Sequence, residues 1–363
     1  MAKNSTPSFL PERDDLHSKR RQNFLYSTLY RNVRTRLLEG IDVCVKSVRR
    51  GDLDPYYLVD AQGAVFKEMF YLWMLDYTAG KDLDALADQF APIVDEFVRW
   101  NELNVPYRLF LKEKFKDRGD TDLTICAVDF DNMVEYERAL QFLSVAILIR
   151  DGRSIKRIIA AMASNRHGDA LYEQLILDYV NDPDEDIEEV LFDEPYSTLV
   201  EAYFQERREA AVPHIQFYLK KWYRYQDGAR WYDAHKKIQE DESFYYGYWA
   251  FEAAATCFLL GIDDSKIDDM VYPKDLVAYG RKLREEGRVT SDFDTSLGLD
   301  GYPLSRLRCE AGEPCPQAGW WLTPAKANSR RYFKPGEIMP SFEGSSYGAT
   351  IWQWDIDQSS LQS

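Results

Sequence analysis

The sequence predicts a mainly α protein, in which a two-layer body of antiparallel helices carries a small β-rich appendage at its C-terminal end. Apolar residues recur along most of the chain at the spacing of a helix. The alternation of polar and apolar residues that is typical of strands is nearly absent before residue 300. Residues 301–363, by contrast, are dense in Gly, Pro, Trp and Tyr, which favours short strands joined by turns.

The first three helices are predicted over residues 22–48, from residue 60 onward and over residues 83–101. Asp60 is placed as the N-cap of the second helix, and Gly80 ends it. Pro92 is the candidate for a kink in the third helix, because an interior proline removes a backbone hydrogen bond. Further helices are predicted over residues 133–149, 154–162, 170–180, 198–225 and 229–240.

Four segments follow from this pattern. They are an N-terminal arm (residues 1–19), an N-terminal helical module (20–125), a C-terminal helical module (126–300), and the β-rich appendage with its tail (301–363). In the appendage, "GWWLT", "RRYF" and "TIWQW" are predicted as strands. So short a segment is not expected to form a large core of its own. Four tryptophans are therefore expected to pack it onto the helices: Trp320, Trp321, Trp352 and Trp354.

The stretch "YYGYWAFEAAATCFLLGIDDS", residues 245–265, holds a single charge, Glu252, before its final acids. On a helix, Tyr245, Trp249 and Glu252 would share one stripe beside a second apolar stripe that includes Tyr248. A helix that is apolar on both sides is expected to be buried. Glu252 could be a catalytic acid, a metal ligand, a proton carrier in a membrane or a structural acceptor of hydrogen bonds. The glycines and the amphipathic aromatic residues disfavour a membrane span, and the structural role is favoured because no second catalytic group stands beside it.

Other catalytic patterns are missing from the sequence. There is no phosphate-binding loop, no dinucleotide-binding glycine pattern and no nucleophile elbow, and the four histidines lie far apart. Asp263, Asp264, Asp268 and Asp269 in "GIDDSKIDD" could bind a divalent cation, but helix capping accounts for them better. We therefore predict no catalytic residue, no cofactor and no metal ion.

The net charge of −16 is unevenly distributed. Residues 1–50 hold 11 Lys and Arg against 5 Asp and Glu, so the excess of acid lies further along the chain. Such a field attracts basic partners and repels nucleic acid and anionic lipid, although solubility alone also accounts for it. The start "MAKNSTPSFLPERDD" lacks an export signal, and five cysteines without a disulfide-like spacing favour reduced thiols. A cytoplasmic protein with neither a nucleic-acid nor a membrane partner is expected, and its oligomeric state is left open.

The run "DPDEDIEEVLFDE" is the candidate surface for a partner. It has eight acids, no base and an apolar centre that could anchor in a pocket while the acids form a rim. A solvated acidic loop is the alternative. The predicted partner-binding residues are Asp182, Asp184, Glu185, Asp186, Glu188, Glu189, Phe192, Asp193 and Glu194.

A resemblance to a known family bears on function. The tract "YYGYWAFEAAATCFLLGIDDS…VYPKDLVAYGR" looks like the C-terminal signature of the PoNi-type immunity proteins, which protect bacteria against polymorphic toxins delivered to neighbours. "FYLKKWYRYQDGARWYDAH" fits the same pattern, and "YLWMLDYTAGKDLDALADQF" is similar to the N-terminal module of these proteins. The tail from "AGWWLTPAKANS" to "IWQWD" resembles the ends of other polymorphic-toxin immunity proteins and departs from the two-module pattern.

The resemblance implies an all-helical cytoplasmic inhibitor, not an enzyme, that binds a cognate toxin domain delivered by a secretion system such as type VI. The acidity makes a basic, nucleic-acid-directed toxin plausible, and other toxin activities stay open. Two alternatives remain. One is an enzyme that reverses a toxin's modification through Glu252 with Asp263 and Asp264, and the other is a helical scaffold or regulator without a toxin partner.

Overall fold

The computed structural model describes residues 15–116, 126–184, 187–229, 231–236, 244–288, 308–316, 318–323, 325–326, 329–342 and 350–354. Over these residues the chain is mainly α with a few short antiparallel strands near its C-terminal end, which confirms the predicted fold class. The helices in the first half are α1 Asp15–Lys19, α2 Ser27–Arg50, α3 Pro55–Thr78, α4 Leu83–Asp88 and α5 Phe90–Lys114. Those in the second half are α6 Met133–Leu148, α7 Gly152–Ala161, α8 Ala170–Ile176, α9 Asp193–Glu201, α10 Arg208–Trp222, α11 Phe251–Leu260 and α12 Lys274–Glu285.

Acidic and amide side chains begin many of these helices. Asp54, Asp82, Asn132, Asp151 and Asp169 accept hydrogen bonds from backbone N–H groups in the first turns of α3, α4, α6, α7 and α8. These N–H groups have no partner within the helix, so each cap stabilises its helix by about 1 kcal/mol. The prediction of Asp60 as the second N-cap is wrong, because α3 begins nearly two turns earlier, at Pro55, behind the cap Asp54.

Several predicted helices are divided differently in the structure. The third one breaks at Gln89 into α4 and α5; Pro92 lies in the first turn of α5, where a proline is tolerated, and Pro106 lies inside it. The helix predicted over residues 198–225 is two helices, α9 and α10. The described part of residues 229–236 forms turns. Residues 245–250 are also not helical, so α11 begins only at Phe251.

Two central helices, α6 and α11, lie in the middle of the helical core. Every residue of α6 from Ala139 to Leu148 is buried, and α11 packs against it with all but its last residue buried. Phe142 of α6 contacts the rings of Phe66 and Phe70 at 5.0 and 5.1 Å, so α3 and α6 share one core. A single cluster of buried side chains extends from Leu25 to Leu283. It crosses the predicted boundary between residues 125 and 126, and the division into two modules stays a prediction.

The appendage is a four-stranded antiparallel sheet in the order β1-β4-β2-β3, with β1 Arg308–Glu310, β2 Gly319–Leu322, β3 Arg331–Phe333 and β4 Ile351–Trp354. Trp321 and Trp352 are fully buried in a cluster separate from the helical core. The expectation that these rings pack onto the helices is therefore wrong, since the sheet and its loops supply a small core of their own. Trp320 is half-buried against Tyr332, and the side chain of Trp354 lies outside the described residues.

Two general expectations can be compared with the described residues. All five cysteines are described, and each is free of a disulfide. Among the described helices, none combines the length and the apolar character that a membrane crossing requires.

Candidate functional site

The segment of residues 245–250 is the first part of the site. All six residues are buried although they form neither helix nor strand, so their backbone groups need partners elsewhere. Gly247 has a φ of +112°, and a side chain there would collide with Thr78 Oγ1. The same hydroxyl accepts a 2.8 Å hydrogen bond from Trp249 Nε1 and lies 2.8 Å from the carbonyl oxygen of Tyr246. Thr78 therefore fixes this segment against the end of α3.

Gln22 holds the same segment from the other side. Its Oε1 accepts hydrogen bonds from the hydroxyl of Tyr245 at 2.7 Å and from the backbone N–H of Tyr248 at 3.0 Å. Its Nε2 donates to the carbonyl oxygens of Tyr248 at 2.6 Å and of Met270 at 3.1 Å. Gln22 is 2% exposed, so one amide side chain satisfies three buried polar groups and the partly buried carbonyl of Met270.

Glu252 lies in the first turn of α11 and is 1% exposed. Its Oε1 accepts a 2.6 Å hydrogen bond from the hydroxyl of Tyr218, while Oε2 has no hydrogen-bond partner among the described residues. Burial raises the pKa of Glu252 to about 7, and the Tyr218 hydrogen bond partly opposes this rise. The indole of Trp222 also favours the charged form, although its N–H falls short of hydrogen-bond geometry. Tyr245, Tyr248 and Trp249 are buried as well.

Sequence reasoning missed Glu137 of α6, another buried carboxyl group, which lies close enough to Glu252 for the two charges to interact. It is 3% exposed, and Gln141 Nε2 donates to its Oε1 at 2.6 Å and to the carbonyl oxygen of Trp249 at 3.0 Å. Burial, followed by the charge of Glu252, raises the pKa of Glu137 to about 8. The two carboxyl groups thus influence each other across the interface of α6 and α11. In "MVEYERALQF" Glu137 has the appearance of an ordinary surface acid, and only its helical spacing with Gln141 and Ser144 along a buried face distinguishes it.

The acids after α11 do not join Glu252. Asp263 and Asp264 follow the C-terminal end of the ten-residue helix, whereas Glu252 is in its first turn, which separates them by about 15 Å. Asp264 is buried and accepts hydrogen bonds from Tyr272 and Arg281, while Asp263 accepts one from the backbone N–H of Ser265. Each acid already has a structural role. Within the part of the chain that the structure describes, no group of three or more His, Cys, Asp and Glu residues has a metal-binding arrangement.

The acidic run, residues 182–194, is the second part of the site. Arg166 and His167 precede it in sequence and bind its first acids. Arg166 Nη1 and Nη2 donate to Oδ1 and to the carbonyl oxygen of Asp182, at 3.1 and 2.8 Å. The same guanidinium binds the buried Glu173 at 2.9 Å, and it lowers the pKa of Asp182. His167 Nδ1 lies 2.9 Å from Oδ2 of Asp184.

The end of the run is held by the core. Asp169 accepts hydrogen bonds from the Tyr136 hydroxyl at 2.9 Å and from the backbone N–H of Leu191 at 3.1 Å. The ring of Phe192 packs on that of Tyr136 with centroids 5.1 Å apart. Phe192 and its apolar neighbours therefore contact this protein's own core. Their role as anchors in a partner's pocket stays a prediction, and the exposed acids are the more accessible part of the run.

The acids of the run differ in accessibility. Glu194 forms an ion pair with Lys221, at 2.7 Å. Glu188, Glu189 and Asp193 are exposed and form no salt bridge with a described residue. Two further predicted residues, Glu185 and Asp186, lie outside the described residues. The structure thus brings the described acids together on one ordered surface segment, apart from the buried Glu252.

Comparisons with known proteins match part of this chain to a protein family. Residues 167–276 match the family described as PoNe immunity proteins (PoNi), C-terminal, and this range includes both the acidic run and Glu252. The predicted resemblance to PoNi-type immunity proteins is thereby confirmed for this region. The crystal structure of protein PA2201 from Pseudomonas aeruginosa is similar in fold, with a TM-score of 0.55, 19% sequence identity and coverage of 72% of this chain and 91% of that chain. A search of curated proteins finds no match.

Proposed function

We propose that this protein is an immunity protein that binds a cognate polymorphic toxin domain and neutralises it by covering the toxin's active site. The observation that carries the proposal is the match of residues 167–276 to the C-terminal region of the PoNe immunity proteins. The matched region contains the acidic run and a rigid core, in which side chains of α10 and α11 bind each other directly. We further propose that the protein acts in the cytoplasm, against a toxin delivered by a secretion system such as type VI.

The proposed contact surface is the exposed part of the acidic run, with Glu188, Glu189 and Asp193 at its centre. Arg166 and Asp169 fix both ends of this segment, so little conformational entropy is lost when a partner binds. Exposed carboxylates that lack ion pairs among the described residues are available to basic side chains of a partner. A basic toxin, of which a nuclease is one class, fits this surface because its substrate-binding face must attract phosphate groups.

A catalytic role for Glu252 has less support. Its carboxyl group is 1% exposed, and the acids that were to assist it lie at the other end of α11. A general acid must come within hydrogen-bonding distance of a substrate, which this burial prevents without a rearrangement of the core.

Co-expression with the cognate toxin domain tests the proposal. Cells that make the toxin domain alone should stop growing, and cells that also make this protein should grow. A complex that co-elutes at one-to-one stoichiometry would support direct binding, and mixing the purified proteins should abolish the toxin's activity at equimolar ratio. Rescue of growth without a complex would contradict binding and would support an enzyme that reverses the toxin's modification. Failure to rescue, with both proteins folded, would overturn the proposal.

A further inference from the structure

A cleft of about 350 Å³ lies between α2, α3 and α6, on the side where Trp231, Phe244 and Tyr246 cover these helices. It is distinct from the acidic run, whose residues do not line it. Its volume falls near the lower end of the range for small-molecule sites, which is about 300–1,000 Å³. The described lining combines four aromatic rings with six charged side chains, so it is more polar than most such sites and favours a charged ligand.

Three cations from three different helices line this cleft: Arg36 of α2, Lys67 of α3 and Arg138 of α6. Arg138 donates a 3.1 Å hydrogen bond to the hydroxyl of Tyr71, which fixes its guanidinium at the wall. Among the described residues, the ammonium group of Lys67 lies over the ring of Trp100 at 5.0 Å and the guanidinium of Arg138 lies over the ring of Tyr71 at 5.8 Å, and neither cation pairs with a carboxylate. Burial, followed by the charge of Arg138, lowers the pKa of Lys67, although the acids Glu135 and Asp60 partly oppose this. Two cations are therefore held close together at a cost to the folded state.

The acids of the cleft do not fully offset these cations. Asp60 and Glu68 also line the cleft, and Glu68 makes further contacts of its own. The third acid, Glu137, is buried with a pKa of about 8, so it is mostly uncharged at pH 7. At that pH the lining holds three cations against two carboxylates. A positive cleft in a chain with a net charge of −16 is the reverse of what the composition predicts.

Aromatic rings form the remaining walls. Tyr71 and Tyr246 stack with their ring centroids 4.3 Å apart, and Arg36 lies over the ring of Phe244 at 4.5 Å. These contacts hold the walls in place, and the rings supply an apolar surface beside the cations. The cleft therefore offers one region for an anionic group and another for a planar apolar group.

We propose that this cleft binds a small organic anion, a carboxylate or phosphate ester attached to a planar ring, with Lys67 and Arg138 holding the anionic group and the aromatic wall contacting the ring. This proposal does not depend on the toxin partner, because the cleft and the acidic run share no residue. Arg138 supplies donors with a fixed planar geometry, and Lys67 supplies a point charge.

Isothermal titration calorimetry on the full chain, at low ionic strength and pH 7, tests this inference. Benzoate and phenyl phosphate are the two probes, and benzyl alcohol is the neutral control with a similar ring. We expect one of the anions to bind with saturation and the alcohol not to bind. Binding of benzoate alone would identify a carboxylate ligand, and binding of phenyl phosphate alone would identify a phosphate ester.

Variants assign the binding to the cleft. Lys67→Gln should weaken binding of the preferred anion about tenfold or more, as expected when a charge-assisted hydrogen bond is lost. Lys46→Gln is the matched control, because Lys46 is an exposed lysine on α2 outside the cleft. Arg138→Gln should act like Lys67→Gln, and circular dichroism checks that each variant is folded. The proposal is wrong if neither anion binds at up to 10 mM, or if folded Lys67→Gln binds as tightly as the unchanged protein. Because Lys67 is only half-buried, Lys67→Gln should fold, and the test stays decisive even if Arg138→Gln does not fold.

Discussion

The hydroxyl of Tyr218 donates a 2.6 Å hydrogen bond to Oε1 of Glu252, and both side chains are almost completely removed from water. This contact joins α10 to α11 inside the region that matches the PoNe immunity family. A buried hydroxyl without a partner is costly, so the pair restricts what position 252 can accept.

Substitution at Glu252 should separate a structural from a catalytic role. Glu252→Gln keeps an oxygen that can accept the Tyr218 hydrogen bond, so it should retain stability and protection against the toxin. Glu252→Leu leaves that hydroxyl unpaired and should lower the free energy of unfolding by about 1–3 kcal/mol. Urea denaturation measures the difference.

Tyr218→Phe serves as the control for this pair. The double variant Glu252→Leu with Tyr218→Phe should be more stable than the sum of the single effects predicts, because no donor is left unpaired. A folded Glu252→Gln protein that no longer protects cells would instead revive the catalytic role.

The buried carboxyl groups should make stability depend on pH. Burial raises the pKa of Glu137 to about 8 and that of Glu252 to about 7, above the values of an unfolded chain. Below about pH 4.5 both groups are protonated in either state, and no stability is lost. Between about pH 4.5 and pH 8 the unfolded chain has released these protons while the folded protein still holds them, so stability falls across this window and levels off above it. The loss is complete above about pH 8 and is on the order of 8 kcal/mol for the two groups together.

Glutamine variants test this dependence by urea denaturation at pH 5.5 and pH 8.5. Glu137→Gln and Glu252→Gln should each be more stable than the unchanged protein at pH 8.5 and should flatten the profile. The exposed Glu102→Gln should change nothing. The gain from both substitutions together should be smaller than the sum of the single gains, because each removes the same mutual repulsion. A profile that is flat in the unchanged protein would show that neither carboxyl group has a raised pKa.

Charge reversal should locate the toxin surface. Replacing Glu188, Glu189 and Asp193 by lysine should slow association with a basic toxin about tenfold at low ionic strength, because exposed charges of opposite sign steer the encounter. The effect should fade as salt is added. Stopped-flow or surface-plasmon measurements of the association rate follow this directly.

A triple reversal at exposed acids elsewhere, Asp88, Glu102 and Asp131, changes the net charge equally and should leave the association rate much closer to that of the unchanged protein. Equal slowing by both triples would assign the effect to net charge. An unchanged rate in the first triple would place the toxin on another surface.

The appendage should unfold independently of the helices. Trp352 is fully buried, its ring contacts Phe333 at 4.8 Å, and its Nε1 donates to the carbonyl oxygen of Pro340 at 2.8 Å. Trp352→Ala should destabilise the sheet by about 3–5 kcal/mol. Limited proteolysis should then remove the appendage, while the thermal transition of the helical signal stays where it was.

Trp320→Ala is the control for this experiment, since Trp320 lies on the inner strand β2 but its side chain is only half-buried, beside Tyr332. It should leave the appendage resistant to protease. A large shift of the helical transition in Trp352→Ala would mean that the two cores depend on each other after all.

The fold class could be predicted because helical periodicity records burial directly. Residues 245–250 could not be predicted in this way: they are buried on every side, so they show the composition of a central helix although they have none of its backbone conformation. Gly247 with its positive φ is the one local feature that could have indicated the break. An isolated glycine is also tolerated inside a helix, so its presence in the sequence does not by itself mark the end of one.

The site was only partly predictable for a similar reason. Glu252 can be recognised in the sequence as a lone acid in an apolar stretch. Glu137 lies among other charged residues, and it matters only because the fold brings it near Glu252, which is distant in sequence. The separate core of the appendage depends on the pairing of β2 with β4, which brings Trp321 and Trp352 into one buried cluster. These strands are not consecutive in sequence, so the spacing of the two tryptophans does not predict the pairing.

Gln22 also sets an order of events in time. It leaves the ribosome early, yet the carbonyl groups that it binds belong to Tyr248 and Met270, which are synthesised 226 and 248 residues later. Its amide must therefore have other partners, such as water, while the chain up to Tyr248 is translated. The final locking of residues 245–250 can happen only after synthesis has passed Met270, so a truncated product that stops short of that point cannot close its core.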